Sequence, residues 1–266
     1  MAGQERMGTR PRGGGRPPAP GPNASGGAAR ARRTLHLPTS SELRVASKQR
    51  TLLGIGGDFF EVFQHGDGRV STVMADVSGN GPTAATPVND VRWALRQQLA
   101  RGESPAAVLA AVNDWLADQR THDHFVTAVC VRIDVRSGRA DVASAGHLGP
   151  FVKRAGGSAE SLAPGTGLAL GILPGQIYVE RGLELRGTDA VVLVTDGVSD
   201  SYASDGDWLG EQGLLARLTE APPGTVTICD ALLGAEAPHG QDATVVVLEM
   251  PARGRRGKGG TRGSAR

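Results

Sequence analysis

The spacing of apolar side chains changes period several times along residues 43–250, and each change marks an element. Residues 43–48 alternate apolar and polar positions, as an edge strand does. Gly56-Gly57-Asp58 opens into Phe59-Phe60-Glu61-Val62-Phe63, which predicts a strand over 56–63 entered through a glycine turn. Val70 to Val77 is apolar and rich in β-branched residues, and His65-Gly66-Asp67-Gly68 before it is a turn sequence. The two runs therefore predict a hairpin. Over 83–100 the period lengthens, with Ala84, Val88, Val91, Leu95 and Leu99 at three- and four-residue spacing, which predicts a helix ended by Gly102. Ser104 suits an N-cap and Pro105 the first helical position, so Ala106–Ala117 is a second amphipathic helix, packed antiparallel on the first. Trp93 and Trp115 fall within these helices and are expected to pack.

Strand patterns return at 125–134 and 139–145 around the turn Asp134–Gly138, and again at 149–154. Residues 176–186 and 189–195 read as a further strand pair, 210–218 and 224–233 as short helices, and Ala243–Met250 as a last strand. Strands in hairpins with helices in separate groups predict an α+β fold: two mainly antiparallel β-sheets packed as a sandwich and flanked by helical layers.

Composition sets the limits of that domain. Hydrophobic residues make up 39% but aromatics only 4%, so the core must be built from Ala, Val and Leu. Residues 1–34 and 252–266 are rich in Gly and Arg and almost free of large apolar side chains. Neither buries enough apolar surface to offset ordering entropy, so both are expected to be disordered basic tails around a domain at 35–251. The first tail carries seven Arg and one Glu, the second five Arg and one Lys, which is +6 each. Taking both from the overall +2 leaves −10 for the body. Such a body argues against specific nucleic-acid binding, while the tails solubilise or give weak, salt-sensitive attraction to polyanions. Cys130 and Cys229 lie far apart, and Cys130 sits in an apolar run, as a buried thiol does. There is no signal-peptide core and no run of the ~20 apolar residues that span a bilayer, so a cytoplasmic protein without membrane association is expected.

Candidate chemistry lies at four aspartate sites in turns beside apolar strands: Gly56-Gly57-Asp58, Asp76-Val77-Ser78-Gly79-Asn80-Gly81, Thr195-Asp196-Gly197-Val198 and Gln241-Asp242-Ala243-Thr244. Asp76 and Asp196 each end a strongly apolar run, with no Lys or Arg close in sequence. An unpaired charge at the rim of a core is costly, and converging carboxylates are naturally neutralised by a hard divalent cation. Either aspartate alone equally fits a turn or a helix cap. Four such sites on one chain favour the cation.

These runs, taken in order with Phe125-Val126-Thr127-Ala128, Ser144-Ala145-Gly146-His147 and Gly171-Ile172-Leu173-Pro174, resemble the SpoIIE-type branch of the PPM (protein phosphatase 2C-like) family across about residues 35–250. The resemblance implies a β-sandwich flanked by helices and a centre of two divalent cations, Mn2+ or Mg2+. In it Asp76 would bridge the cations, the Val77 carbonyl would add a main-chain ligand, Asp196 would bind one cation, and Asp58 would bind directly or through water. Asp58, Asp76 and Asp196 would thus carry catalysis, and two cations can activate water for in-line attack at phosphorus without a side-chain nucleophile. The implied activity is hydrolysis of phosphoserine or phosphothreonine on a protein, with a phosphorylated anti-sigma-factor antagonist as substrate and a regulatory partner protein. With the body beginning near residue 35, no sensor domain of ~100 residues is expected ahead of it in this sequence. Sensing would come from a partner, another chain, or Ala28–Glu42 as a regulatory helix whose length Pro38 limits.

Two positions depart from the family pattern. Gln241 stands where the family has its fourth acidic ligand, leaving Asp242 as the carboxylate there, although neighbouring strand residues face opposite ways. Loss of a ligand would weaken one cation by at least the roughly 10–100-fold of outer-shell losses. A degenerate site serving as a regulatory binding module is the rival reading. Glu61 stands where the family commonly has Asp, further from the cations. His147 invites a general-acid reading, but a turn histidine holding backbone is the preferred one, and His122 and His124 belong to a polar loop before a strand.

Overall fold

The longest apolar runs occupy the centres of two sheets, where both strand faces are covered. A computed structural model describes residues 43–51, 56–78, 85–119, 124–162, 167–201, 209–233 and 242–252. One sheet contains β1 (Arg44–Arg50), β6 (Phe151–Lys153), β7 (Ala159–Ser161), β9 (Ala190–Val194) and β10 (Ala243–Glu249), in the order β1-β10-β9-β6-β7. The other contains β2 (Asp58–Gln64), β3 (Arg69–Val77), β4 (Val126–Asp134), β5 (Arg139–Ala145) and β8 (Arg181–Glu184), in the order β2-β3-β4-β5-β8. Every pairing between named strands is antiparallel. All residues of β9 and β10 are buried, which is why both read as continuous Val-rich runs rather than alternating ones.

Three apolar clusters stack the layers. Met74, Val129, Val131 and Val142 of one sheet meet Val191, Leu193, Val246 and Leu248 of the other. Helices α1 (Ala85–Ala100) and α2 (Pro105–Asp118) cover the outer face of the second sheet through Val91, Leu95, Leu99, Val108, Leu109 and Val112. Helices α4 (Gly210–Glu220) and α5 (Thr225–Leu232) cover the first through Leu214, Leu218 and Ile228. The result is a helix–sheet–sheet–helix sandwich, as the periodicity predicts. Ser104 caps α2 with its side chain accepting from the Ala107 N–H (3.4 Å), and Pro105 begins the helix. Cys130 is buried, and burial pushes its thiol up to about 12, so it is an inert packing residue. Among the described residues, no helix is long and apolar enough to cross a membrane.

The structure corrects two expectations. Residues 176–186 and 189–195 do not pair: β8 binds β5, whereas β9 lies between β10 and β6 in the opposite sheet. β9 is buried on both faces and must be central, while β8 is mostly exposed and can only be an edge. The link between them crosses the sandwich, with Leu185 N–H bonded to Gly138 C=O in one sheet and the Asp189 carboxylate accepting from Ala155 N–H beside the other. Trp93 is not a packing residue but 61% exposed. At 100° per residue it lies about 200° around α1 from Val91, opposite the buried stripe. Trp115 does pack against the core. Strand β7 and the four-residue helix α3 (Asp196–Ser199) were not anticipated. The N-terminal tail, Ala28–Glu42, Gly79, Gly81, His122, Gln241 and nearly all of the C-terminal tail lie outside the described residues.

Buried Asn113 on α2 fastens the segment after residue 170. Its amide donates to the Leu173 carbonyl (2.9 Å), and its side-chain oxygen accepts from the Gly171 N–H (3.1 Å). Asn113→Ala strips both partners, and its expected cost of about 1–3 kcal/mol should appear as a lower urea midpoint. An unchanged midpoint would show that this pair does not hold the segment.

Candidate metal centre

The β2–β3 register sets Asp58 directly opposite Asp76, at the open end of the hairpin. Thr127 of β4 lies on the other side of Asp76. The second sheet meets this point with Thr195 and Asp196, which follow β9, and with Asp242, which precedes β10. A hydrogen-bonded knot joins the two sheets. Thr195 Oγ1 donates to Asp58 Oδ2 (2.7 Å), and Thr244 Oγ1 donates to the same oxygen (3.0 Å). The threonines also bind each other, Thr244 N–H to Thr195 Oγ1 at 2.9 Å and Thr195 N–H to Thr244 C=O at 3.1 Å. Asp58 is thereby ordered although only 7% exposed.

Glycines permit the close approach. A Cβ at Gly57 would stand 2.5 Å from the Val77 carbonyl oxygen and 2.6 Å from Asp76 Oδ1, so both oxygens converge on this one spot. A Cβ at Gly56 would fall 2.1 Å from Asp242 Oδ2, and one at Gly197 only 1.8 Å from the Asp242 carbonyl oxygen. Glycines of the Asp58 and Asp196 segments thus leave room for oxygen atoms of the Asp76 and Asp242 segments.

Like charges in a confined space leave an electrostatic mark. Burial pushes the Asp76 carboxyl up to about 7, and the charges of Asp58, Asp196 and Asp242 add to the rise. Burial raises Asp58 to about 6 against the hydrogen bonds from Thr195 and Thr244, with Asp242 and Asp196 adding repulsion. Asp196 is raised by burial and by Asp200, opposed by the Gly197 N–H. Among the described residues, no ion pair involves Asp58, Asp76 or Asp196. Nor does any group of three or more His, Cys, Asp or Glu side chains there already have ligating geometry; the carboxylates approach without closing into a cage. The side chains gathered here, with the Val77 carbonyl, offer oxygen donors, the type that suits a hard divalent cation such as Mg2+ or Mn2+.

Of the residues singled out in the sequence, Asp58, Asp76, Asp196 and Asp242 come together with the Val77 carbonyl beside them. Asp242 lies at the cluster, with its Oδ2 against Gly56 and its charge adding to the rise at Asp58 and Asp76. Glu61 belongs elsewhere: it pairs with Arg92 and, at 3.5 Å, Arg96 on α1. His147 is buried, and burial lowers its pKa to about 4, so it is neutral near pH 7. Its N–H donates to Ser144 Oγ (3.2 Å), its carbonyl accepts from the same hydroxyl (2.9 Å), and Nδ1 is bonded to Thr127 Oγ1 (2.8 Å). The Ser144 hydroxyl thus holds the main chain at His147, and the imidazole braces Thr127, the strand neighbour of Asp76. His124 Nδ1 donates to the Ser78 carbonyl (2.7 Å), steadying the turn after Asp76. Sequence reasoning missed Thr195 and Thr244 as site residues. The signal was present, since Thr195 directly precedes Asp196 and Thr244 stands two residues after Asp242.

Comparison with known proteins agrees with this fold. The family model for Stage II sporulation protein E (SpoIIE) matches residues 66–251, which include Asp76, Asp196 and Asp242. The phosphoserine phosphatase RsbP of Bacillus subtilis (strain 168) is 24% identical over 169 residues, covering 62% of this chain and 42% of RsbP. The chain spans about a third to just over half the length of the curated relatives it matches. Among solved structures, the RsbU and RsbW domains of Rv1364c from Mycobacterium tuberculosis superpose with a TM-score of 0.69 at 24% identity, covering 80% of this chain and 61% of that one. The PP2C phosphatase domain of SpoIIE from Bacillus subtilis, with a fragment of its regulatory domain, gives 0.66 at 19% identity, covering 81% and 66%. The sandwich is therefore the PP2C-type fold, and the chain belongs to the SpoIIE family.

Proposed function

We propose that this domain hydrolyses phosphoserine or phosphothreonine on a protein, with two divalent cations, Mn2+ or Mg2+, held by Asp58, Asp76, the Val77 carbonyl, Asp196 and Asp242. The observation that carries this reading is the convergence of carboxylates from both sheets on one glycine-lined point, with Asp58 and Asp76 held well above the usual carboxylate range. Such perturbed groups gathered at strand ends mark a functional site. When bound, the cations would lower the pKa of a water and stabilise in-line displacement at phosphorus. The chain's own part is positional. Thr195 and Thr244 aim Asp58, the Gly57 backbone leaves Val77 and Asp76 oxygens on one side, and α3 presents Asp196 from its first turn. His147, neutral and engaged through Nδ1, holds Thr127 rather than transferring protons.

The name of RsbP as a phosphoserine phosphatase supports the substrate class. The family resemblance favours a phosphorylated anti-sigma-factor antagonist as that protein, within a partner-switching pathway. Gln241 motivates the second reading, a regulatory binding module with a weakened cation site.

Three outcomes are expected. Hydrolysis of para-nitrophenyl phosphate or of a phosphoprotein should require Mn2+ or Mg2+, and Asp76→Ala and Asp196→Ala should each lower turnover by more than the roughly 100-fold upper range of outer-shell losses. Full activity in both variants would exclude the carboxylate centre. Turnover in wild type within a fewfold of Gln241→Asp supports the enzyme, whereas activity appearing only in Gln241→Asp supports the binding module. The third concerns pH. The folded-state pKa values of Asp58 and Asp76 lie above the ordinary 3.8, so the folded chain holds the extra protons and its stability falls as pH rises from about 4 to about 7. In chelator, the thermal midpoint of Asp76→Asn should fall less steeply than wild type over that window; parallel curves would contradict the burial account.

A further inference from the structure

The sheet end remote from the carboxylates carries a second feature, independent of the phosphatase reading. Asp76 lies opposite Thr127 in the β3–β4 register, whereas Arg69 lies opposite Asp134, and Arg139 begins the next strand. Seven residues of strand separate the two ends, about 24 Å at ~3.4 Å per residue. Here a groove of about 830 Å³ is lined by Ser137, Arg139, Arg186 and the chain from Gly182 to Leu185.

Among the described residues, β8 is the last strand of its sheet. Its hydrogen-bond phase follows from one contact. Leu185 N–H donates to Gly138 C=O (2.7 Å), one residue outside the Arg139–Glu184 pair, so that pair is a non-hydrogen-bonded one. The N–H and C=O of Glu184, and those of Gly182 two residues earlier, therefore point away from β5. Arg154 Nη1 confirms the direction by donating to the Glu184 carbonyl from that side (2.9 Å). The edge thus presents the Gly182 N–H and C=O and the Glu184 N–H outward. Just upstream, Ile177 is 88% and Val179 60% exposed, so the same chain offers apolar side chains to a neighbour.

Charge selects the neighbour. The side chains of Arg139 and Arg186 are 74% and 83% exposed, Arg139 beside the largely buried Asp141 (3.5 Å) and Arg186 beside the exposed Glu184 (3.2 Å). A guanidinium carries five N–H donors, so each arginine keeps donors for a ligand beyond its one carboxylate contact there. On a body of net charge −10, these two arginines place positive charge at the groove. A short charged edge also guards a sheet against promiscuous pairing, and that guard would admit a strand of complementary charge.

We propose that the β8 edge and its arginine groove bind an extended acidic segment of a partner protein, which adds to the sheet as a sixth strand. Main-chain hydrogen bonds to Gly182 and Glu184 would supply affinity, and Arg139 and Arg186 would select acidic side chains at alternate positions.

The test uses the full chain and a fluorescein-labelled octapeptide of alternating Glu and Val, read by anisotropy, with the Lys/Val octapeptide as control. Salt-sensitive binding of the Glu/Val peptide alone is expected, weakened at least tenfold in Arg139→Glu/Arg186→Glu, whose phosphatase activity and thermal midpoint should match wild type. Peptides N-methylated on either alternate set of amides should differ, one set losing at least tenfold and the other little. Unchanged affinity in the double variant would assign binding to the basic tails and overturn the site. Equal binding of the Lys/Val peptide, or an equal effect of the two methylation sets, would overturn strand addition. So would an oligothymidylate that displaces the peptide at equimolar concentration, since a nucleic acid would then be the better ligand.

Discussion

Two threonine hydroxyls donate to one oxygen of Asp58 across the seam of the sandwich, and the rest of the candidate centre depends on that contact. Asp58 belongs to the hairpin of one sheet, while Thr195 directly follows β9 and Thr244 lies in the adjacent β10 of the other. The knot therefore sets the distance and register between the sheets at their carboxylate end. It also keeps a buried carboxyl in place against the repulsion of Asp196 and Asp242. A charged group so placed is stable only with partners. The hydroxyls satisfy one of its two oxygens.

The four layers serve this arrangement. Strands β3, β9 and β10 are covered on both faces, so their backbones cannot shift to relieve crowding at their ends. The crowding is relieved instead by deleting side chains: at Gly56, Gly57 and Gly197 a Cβ would overlap oxygen atoms of Asp242, Asp76 or Val77. Rigid strands and absent Cβ atoms together bring four acidic segments within reach of one another.

The two histidines beside the candidate centre brace the segments around it. His147 and His124 each bind main chain or a hydroxyl in the turns flanking β3 and β4, and burial keeps His147 neutral. Charge is also segregated along the sheet: carboxylates gather at one end of β3, and exposed arginines line the groove beyond its other end.

Most elements were legible in the sequence because their signals are local. Apolar periodicity marked β2, β3, β10 and both long helices, Ser104-Pro105 marked the start of α2, and the four Asp motifs marked the site. Pairing was less legible. The runs at 176–186 and 189–195 look like a hairpin because a short polar link joins them, yet they lie in different sheets. Burial of both faces of β9 decided that, and burial is a property of neighbours distant in sequence. Trp93 was misjudged because helical membership says nothing of facing until the buried stripe is known. By itself the sequence determined the element types, the acidic motifs and the family. Only the tertiary structure decided that Thr195 and Thr244 hold Asp58, that Asp242 turns inward beside Gly56, and that β8 ends its sheet. These are contacts between residues 40 to 190 positions apart, and local chemistry carries no record of them until the sheets pack.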